Sequence, residues 1–305
     1  MALPGHQSVK PAPLRNFRHI EVKPAALALG AYVSGVDLTT AQSEDVYDDI
    51  ATALWDHHVL FFRDQPMTPA SQVAMARCFG EPEAHEIFAA DDEYPELSLL
   101  ENDASRPPEI NTWHTDVTYR KAPTLCSVLC CLECPDLGGD TMFLNTQLAY
   151  ETLAPSIKQL LNECVLEHDV LNIYRDTKYL ERAGGENKEA ELRAKHPPVI
   201  HPAVIGHPVT GKPGLLVNAT HGTRFTNMSR LESRHLMSML CEHQQLPEFQ
   251  VRFEWSPDSV VMWDNFSTQH YAVADYYPQK RVMRRITVSG RQPLAYSKPQ
   301  QANVA

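Results

Sequence analysis

The chain has 305 residues, of which 43% are hydrophobic, and its 27 basic and 38 acidic side chains give a formal net charge of -11 at pH 7. This length is enough for one large core or two small ones, because β-rich domains often exceed the usual domain size. The acidic balance and the lack of a basic run argue against an extended nucleic-acid or anionic-membrane surface, which needs clustered Lys and Arg. Any anionic ligand must therefore be bound by a few local cations.

The sequence also limits the cellular setting. No stretch approaches 18 uninterrupted apolar residues, and the opening MALPGHQSVKPAPLRNF contains neither an apolar segment nor a signal cleavage site. The seven cysteines are odd in number and lack the spacing of a disulfide framework, which indicates reduced thiols. We therefore predict a cytoplasmic protein that neither spans nor binds a membrane.

Three parts are predicted along the chain. Residues 1–17 are rich in Pro and polar side chains and predict a flexible N-terminal arm. Residues 18–296 are predicted to form a single domain, and residues 297–305 a C-terminal tail.

The first helix is predicted over residues 43–57. Val46, Ile50 and Leu54 recur at four-residue steps, so they share one face of a helix. Ser43 and the acidic residues that follow it are typical of a helix start.

Further elements follow in chain order. The segment VLFFRD, residues 59–64, predicts a buried strand. A second helix is predicted to begin at Thr68, with Pro69 in its first turn, and to end at Gly80. A third is predicted after Ser229, where SRLE has the pattern of a capping box.

Most of the remaining segments are short and β-rich. They are LCSVLCCLE, GGDTMFLN, GLLVNAT, FQVRFEW, SVVMWDN and RVMRRITVSG. Many short strands without βαβ alternation favour a sandwich or barrel over a parallel sheet. The predicted class is therefore mainly β with flanking helices.

Four cysteines crowd into one of these segments, CSVLCCLEC: Cys126, Cys130, Cys131 and Cys134. Thiolates bind zinc, but structural zinc sites usually combine C-x2-C pairs across a longer separation. The run consists mostly of Leu, Val and Cys, which favours a buried strand over a metal site.

A candidate metal site begins in NTWHTDVTY. His114 and Asp116 are two residues apart, so in an extended strand both side chains would lie on one face, within reach of one ion. His270 follows a predicted strand and turn and supplies a third ligand. Two imidazoles and one carboxylate form the set that binds mononuclear non-haem Fe(II) and leaves positions open. A catalytic zinc site also uses three protein ligands, so a hydrolase stays open at this point.

Two arginines near the C-terminus indicate anion binding. Strand alternation in RVMRRITVS places Arg281 and Arg285 on the same face, about 13 Å apart at about 3.3 Å per residue. Each guanidinium can bind a carboxylate or sulfonate through two hydrogen bonds. Arg284 lies on the opposite face, where we expect it to be exposed or paired with an acidic neighbour.

The chain resembles the taurine dioxygenase family of Fe(II)- and 2-oxoglutarate-dependent oxygenases. The motifs that carry the resemblance are WHTDVTY (113–119), GGDT (138–141), VNATHGTR (217–224) and the pattern WDN...TQHYAVADY.PQ.R...R (263–285). It extends in weaker form from about Ile20 to Pro293. The resemblance implies a double-stranded β-helix, or jelly roll, with flanking helices. It also implies hydroxylation of a small organic anion with release of succinate and CO2.

The resemblance assigns roles to individual residues. It implies that His114, Asp116 and His270 are the ligands of Fe(II), with 2-oxoglutarate and O2 as co-substrates. Thr141 and Arg281 would bind the distal carboxylate of 2-oxoglutarate.

For the substrate, the resemblance implies partial agreement with the taurine enzyme. Arg285 would bind the anionic head, and His85 matches a His that contacts the sulfonate. Phe88, Ile110 and His221 stand where the taurine enzyme has Tyr, Asn and Phe.

These differences change the expected substrate. The Tyr and Asn help to hold the ammonium group of taurine, and each unmet hydrogen bond costs roughly 1 to 3 kcal/mol. Asn111 lies one residue from the expected Asn and would restore a contact if the loop were shifted. Tyr174, at an aromatic pocket position, would form part of the wall. The predicted substrate is therefore an alkyl or aryl sulfonate, a sulfate ester or a carboxylate, rather than taurine.

Two alternatives remain open on the sequence. One is a biosynthetic hydroxylase of an amino acid or natural product, in which Arg285 binds a carboxylate. The other is a zinc hydrolase or a catalytically silent metal-binding protein. The family resemblance also implies homo-oligomers, and no nucleic-acid partner is expected.

Overall fold

The computed structural model describes residues 12–13, 15–174 and 177–297. The strands are β1 Glu21–Pro24, β2 Ala31–Ser34, β3 Val59–Phe62, β4 Pro82–Glu83, β5 Ala89–Ala90, β6 Ser98–Asn102, β7 Cys126–Glu133, β8 Thr141–Asn145, β9 Val165–His168, β10 Val199–Pro202, β11 Val204–Gly206, β12 Pro213–Leu215, β13 Gly222–Phe225, β14 Gln250–Phe253, β15 Val260–Asp264, β16 Thr268–Ala272 and β17 Arg281–Val288. The helices are α1 Glu44–His57, α2 Pro69–Arg77, α3 Thr146–Thr152, α4 Pro155–Leu161, α5 Tyr179–Ala183, α6 Glu186–Lys195 and α7 Arg230–Gln244, followed by a short 3-10 turn, Pro247–Phe249.

Two sheets form the centre of the fold. The large sheet has the order β1-β2-β3-β15-β7-β17-β6-β5, with β4 also paired to β17, and the small sheet has the order β14-β8-β16. Their facing side chains share one core: the Phe143 ring of the small sheet lies 6.2 Å from Phe61 and 5.7 Å from Trp263 of the large sheet. The predicted class, mainly β with flanking helices, is confirmed.

Helices α1 and α2 cover the other face of the large sheet. Ile50 of α1 and Val73 of α2 pack in a second buried core with Leu60 and Phe62 of β3. The side chain between them, Phe61, points to the core between the sheets. Both faces of β3 are thus covered, and burying each such side chain contributes about 1.5 to 3 kcal/mol. This explains why VLFF is uniformly apolar.

The predicted helix starts are confirmed. The residue before α1 is Ser43, and the side chain of Thr68 accepts a hydrogen bond from the Ser71 amide (3.1 Å) at the start of α2. The capping box of α7 is complete, because Ser229 accepts from the Glu232 amide (3.3 Å) and the Glu232 side chain accepts from the Ser229 amide (2.8 Å).

The strand predictions hold in part. The Cys-rich segment is the buried strand β7, and all seven cysteines are free. In GLLVNAT, only Gly214 and Leu215 belong to a strand, the short β12. Arg284 does lie on the face opposite Arg281 and Arg285, but the expectation of exposure or an acidic partner is wrong. It is buried and donates to Gln72 Oε1 (2.7 Å) and to the Met67 carbonyl (2.5 Å), since α2 covers this face.

The predicted ends of the domain remain predictions. Residues 1–11, 14 and 298–305 of the predicted arm and tail lie outside the described residues. Within the arm, Arg15 forms an ion pair with Asp56, and Phe17 packs against the core beneath α1. None of the described helices combines the length and apolar character needed to cross a membrane.

Candidate active site

His114, Asp116 and His270 converge between the two sheets. Their ligand atoms all lie within 4.8 Å of one another, and all three residues are buried. Asp116 Oδ1 is 4.0 Å from His114 Nε2 and 3.9 Å from His270 Nε2. Within the described ranges, this is the one cluster of three His, Cys, Asp or Glu side chains with the spacing of a metal site.

The local conformation differs from the predicted strand. His114 makes a single-residue bridge to His270, with backbone N to O distances of 3.1 and 2.8 Å, and the chain then enters a turn at Asp116. Val117 has a φ of +46°, which a β-branched residue rarely adopts. The prediction that His114 and Asp116 share one face of an extended strand is therefore wrong. The turn, rather than strand alternation, brings the carboxylate beside both imidazoles.

Hydrogen bonds orient two of the candidate ligands, His114 and Asp116, whereas Nδ1 of His270 has no partner among the described residues. His114 Nδ1 lies 2.7 Å from the carbonyl oxygen of Thr112, which can only accept, so Nδ1 carries the proton and Nε2 keeps its lone pair. Ser127 donates to Asp116 Oδ2 (2.8 Å) and accepts from the side-chain amide of Asn265 (3.0 Å). Oδ1 of Asp116 is thus the oxygen directed at the two imidazoles.

Protonation states suit a divalent cation. Burial and the neighbouring His114 lower the pKa of His270 to about 3, and burial lowers the pKa of His114 as well. Although burial opposes ionisation of Asp116, Arg285 and the two imidazoles hold its pKa well below the usual value. Two neutral imidazoles and one carboxylate are therefore present at neutral pH, as metal binding requires. This donor set fits Fe(II) with open coordination positions.

Arg281 and Thr141 lie at one side of the cavity that opens over the three ligands. Arg281 is buried, donates to the Gly139 carbonyl (3.1 Å) and lies 5.7 Å from the centre of the Trp255 ring. No salt bridge joins it to a carboxylate in the part of the chain that the structure describes. Because a buried cation without a counter-ion is costly, Arg281 fits an anion that enters from solution.

Arg285 lines the same cavity and contacts one of the candidate ligands directly. One terminal nitrogen donates to Asp116 Oδ1 (3.0 Å), while the buried Nε has no hydrogen-bond partner among the described residues. The guanidinium lies over the Phe88 ring at 5.2 Å, and the His85 ring is 4.4 Å from Phe88. Burial and the nearby Arg285 lower the pKa of His85 to about 3, so His85 is neutral.

The wall next to Arg285 is mostly apolar. Phe88, Ile110, Tyr174 and His221 all line the cavity. His221 is buried, burial lowers its pKa to about 3, and its Nδ1 has no partner among the described residues. Asn111 is exposed and does not line the cavity, so it does not replace the missing polar contact.

An ionic cluster next to the cavity was not anticipated from the sequence. Glu86 contacts Arg120 (2.8 Å), Lys195 (3.2 Å) and His196 (3.0 Å), and Arg120 also contacts Glu83 (2.7 Å). The cluster joins the loop that carries His85 and Phe88 to the end of α6. The sequence offers no periodic signal for it, because its members come from separate segments.

A second group missed from the sequence supports the metal ligands. Trp263 donates to Asn265 Oδ1 (3.1 Å), and Asn265 bonds to Ser127. Asn265 belongs to the WDN motif, which was noted without a role, and Ser127 is a single hydroxyl within an apolar strand. A single polar residue in an apolar strand is a sequence signal for a buried hydrogen bond.

A two-sheet β fold that holds two imidazoles and one carboxylate in a buried cavity defines a mononuclear non-haem metal enzyme. A profile of the family described as "Taurine catabolism dioxygenase TauD, TfdA family" matches residues 21–287. The chain belongs to this family, as its motifs predicted.

Individual relatives agree with this family assignment. An "Alkylsulfatase" of Acinetobacter baylyi is 37% identical over 271 residues, covering 86% of this chain and 82% of that protein. An "Alpha-ketoglutarate-dependent sulfate ester dioxygenase" of Pseudomonas putida is 33% identical over 277 residues, covering 90% of this chain and 91% of that protein. The crystal structure of a "Taurine Dioxygenase from Burkholderia xenovorans" superposes with a TM-score of 0.78 at 31% identity, covering 91% of this chain and 92% of the other.

Proposed function

We propose that the protein is an Fe(II)- and 2-oxoglutarate-dependent dioxygenase that hydroxylates a small organic anion with an apolar body. The observation that carries the proposal is one cavity that joins a buried His-Asp-His cluster to two buried guanidinium groups, Arg281 and Arg285. Two separate cations suit two separate anions, a co-substrate and a substrate.

His114, Asp116 and His270 would hold the iron, while Thr141 and Arg281 would bind the distal carboxylate of 2-oxoglutarate. When bound, iron and 2-oxoglutarate supply the oxidation, in which O2 is consumed, 2-oxoglutarate becomes succinate and CO2, and one oxygen atom enters a C–H bond of the substrate. The protein's contribution is to hold the reactants in place and to exclude water.

Arg285 is the residue that we propose binds the anionic head of the substrate. Its unpartnered Nε is buried in the cavity wall, and a guanidinium binds a carboxylate, sulfonate or sulfate through paired hydrogen bonds. Neutral His85 adds one further polar contact beside it. Because Arg285 also donates to Asp116, the head is held close to the metal ligands.

The body of the substrate is proposed to be apolar. Phe88, Ile110 and Tyr174 form the wall. The two carboxylates that line the cavity already have partners, since Glu109 pairs with Arg182 and Asp116 pairs with Arg285 and faces the two imidazoles. Each unmet hydrogen bond of a buried amine costs roughly 1 to 3 kcal/mol, or about one to two decades of affinity. Taurine is therefore a poor candidate.

A sulfate ester is the first substrate class to test. The A. baylyi relative is described as an alkylsulfatase and the P. putida relative as a sulfate ester dioxygenase, and both align with most of this chain's length. Hydroxylation of the carbon that carries the sulfate would give a product that collapses to a carbonyl compound and free sulfate. Sulfate release is thus a specific readout for this class. The seven free cysteines support the proposal that the enzyme works in a reducing, cytoplasmic compartment.

The test is succinate formation with Fe(II), O2 and 2-oxoglutarate in the presence of alkyl sulfates, alkylsulfonates, aryloxyalkanoates or taurine. We expect one of the anions with an apolar body to give the highest kcat/KM, and sulfate to equal succinate when an alkyl sulfate is used. Taurine outperforming every other compound would contradict the pocket assignment. If 2-oxoglutarate is not consumed with any of these compounds, the oxygenase assignment is contradicted and a zinc hydrolase is favoured.

A further inference from the structure

Helix α5 borders the cavity at the aromatic side chains near Arg285. Tyr179, its first helical residue, lines the cavity together with Phe88 and Tyr174. Its ring meets Phe88 edge-on, with 5.6 Å between ring centres and an angle of 87°, and lies 6.4 Å from the Tyr174 ring. Tyr179 therefore continues the aromatic wall beyond Phe88.

The aromatic rings form a path that leads away from the anion site. The Arg285 guanidinium lies 5.2 Å from the Phe88 ring, which in turn contacts Tyr179. Arg285 is buried and Tyr179 is partly exposed, so the path runs toward the surface. An apolar chain whose anionic head is bound at Arg285 and which extends along Phe88 reaches Tyr179. On its outer side, the Tyr179 ring is covered by the Arg182 guanidinium at 5.1 Å.

Glu109 contacts this segment at two points. One carboxylate oxygen accepts from the backbone amide of Lys178 (2.8 Å), and the other accepts from the side chain of Arg182. These two contacts flank Tyr179 in the sequence. Asn102, which accepts a hydrogen bond from Tyr276 (3.1 Å), lies beside the Tyr179 hydroxyl.

We propose that Tyr179 closes the outer end of the substrate cavity and limits the length of the apolar body that the enzyme accepts, with Glu109 as the positioning residue that holds it there. The assignment rests on the proposed function, because it requires a substrate whose head is bound at Arg285. It adds that medium-length chains are favoured and that longer chains are rejected by contact with one ring.

The test uses linear alkyl sulfates of increasing length, from butyl to decyl, with succinate release as the readout. We expect Tyr179→Ala to raise the ratio of kcat/KM for decyl over butyl sulfate by about 10-fold or more, the effect typical of space for added methylene groups in an apolar pocket. Tyr179→Phe should keep the wild-type length profile, because the ring rather than the hydroxyl closes the cavity. Glu109→Gln keeps the shape but removes the charge, and should shift the profile in the same direction by a smaller factor.

Tyr32→Ala is the matched control, since Tyr32 is 40% exposed on β2, away from the cavity. It should leave both the rate and the length profile unchanged. The melting curve of Tyr179→Ala shows whether the variant is folded. If the wild type is active and the folded variant has the same dependence of kcat/KM on chain length as the wild type, the role of Tyr179 is overturned while the proposed function stands. Wild-type inactivity with the alkyl sulfates and also with alkylsulfonates and aryloxyalkanoates would overturn the proposed function and the length limit with it.

Discussion

Replacing Ser127 by alanine tests how the metal-binding carboxylate is held. The Ser127 hydroxyl donates to Asp116 Oδ2 at 2.8 Å and accepts from the Asn265 amide at 3.0 Å. The substitution removes both hydrogen bonds without adding volume. It leaves one carboxylate oxygen without its donor and one buried amide without its acceptor.

The magnitude follows from these two contacts. A hydrogen bond to a charged group contributes about 1.5 to 3 kcal/mol, and loss of a group that orients a metal ligand typically costs 10- to 100-fold in metal affinity. We expect Ser127→Ala to weaken Fe(II) binding about 10- to 100-fold. The KM for 2-oxoglutarate at saturating iron should change much less, because Arg281 and Thr141 are untouched.

The assay is anaerobic equilibrium dialysis with Fe(II), repeated with Mn(II) as a redox-inert ion. Ser233→Ala is the matched control, since Ser233 is a buried serine that accepts from the Phe225 amide (2.8 Å) in another part of the fold. It should lower stability without altering iron affinity. Fe(II) affinity in Ser127→Ala within twofold of the wild type would refute the role of this hydrogen bond.

Three further outcomes are expected. Arg281→Met should raise the KM for 2-oxoglutarate by roughly 30-fold or more, corresponding to loss of a buried charge partner worth about 2 to 5 kcal/mol, and an unchanged KM would contradict the co-substrate assignment. Although burial opposes its ionisation, the charge and hydrogen bond of Arg120 and the hydrogen bond with His196 lower the pKa of Glu86 from 4.5 to about 2, so its stabilising effect is complete above pH 4.5 and is lost as the pH falls toward 2. The wild type should therefore lose more unfolding free energy than Glu86→Gln over that acid range, as measured by denaturant titration. Equal losses in the two proteins would contradict a stabilising role of the Glu86 ionic cluster. Ser229→Ala should lower the unfolding free energy by about 1 kcal/mol through loss of the α7 cap while leaving turnover unchanged, and a fall in turnover at full folding would be unexpected.

Local patterns predicted the local structure well. The starts of α2 and α7 follow from side chains that cap the helix, whereas Ser43 precedes α1 without a side-chain cap and the start of α1 follows from its apolar periodicity and acidic first turn. The two faces of β17 follow from strand alternation, which places Arg281 and Arg285 in the cavity and Arg284 on the other side. The candidate ligands were predicted from spacing and from family resemblance, and the structure brings their side chains together.

Tertiary contacts account for what the sequence did not predict. The turn at Asp116 depends on the backbone bridge between His114 and His270, which are 156 positions apart in the sequence. The burial of Arg284 depends on α2 covering that face of the sheet, and strand alternation carries no information about what covers a face. The contact of Glu109 with Arg182 spans 73 positions, so no local pattern could indicate it.

Iron binding by wild type and His270→Ala tests the central claim most directly. In anaerobic dialysis with Fe(II) and 2-oxoglutarate, we expect one iron per wild-type chain, and in air we expect conversion of 2-oxoglutarate to succinate. His270→Ala should lose both, whereas His235→Ala, at an exposed position on α7, should retain both. Undiminished iron binding and succinate formation in folded His270→Ala would contradict the account.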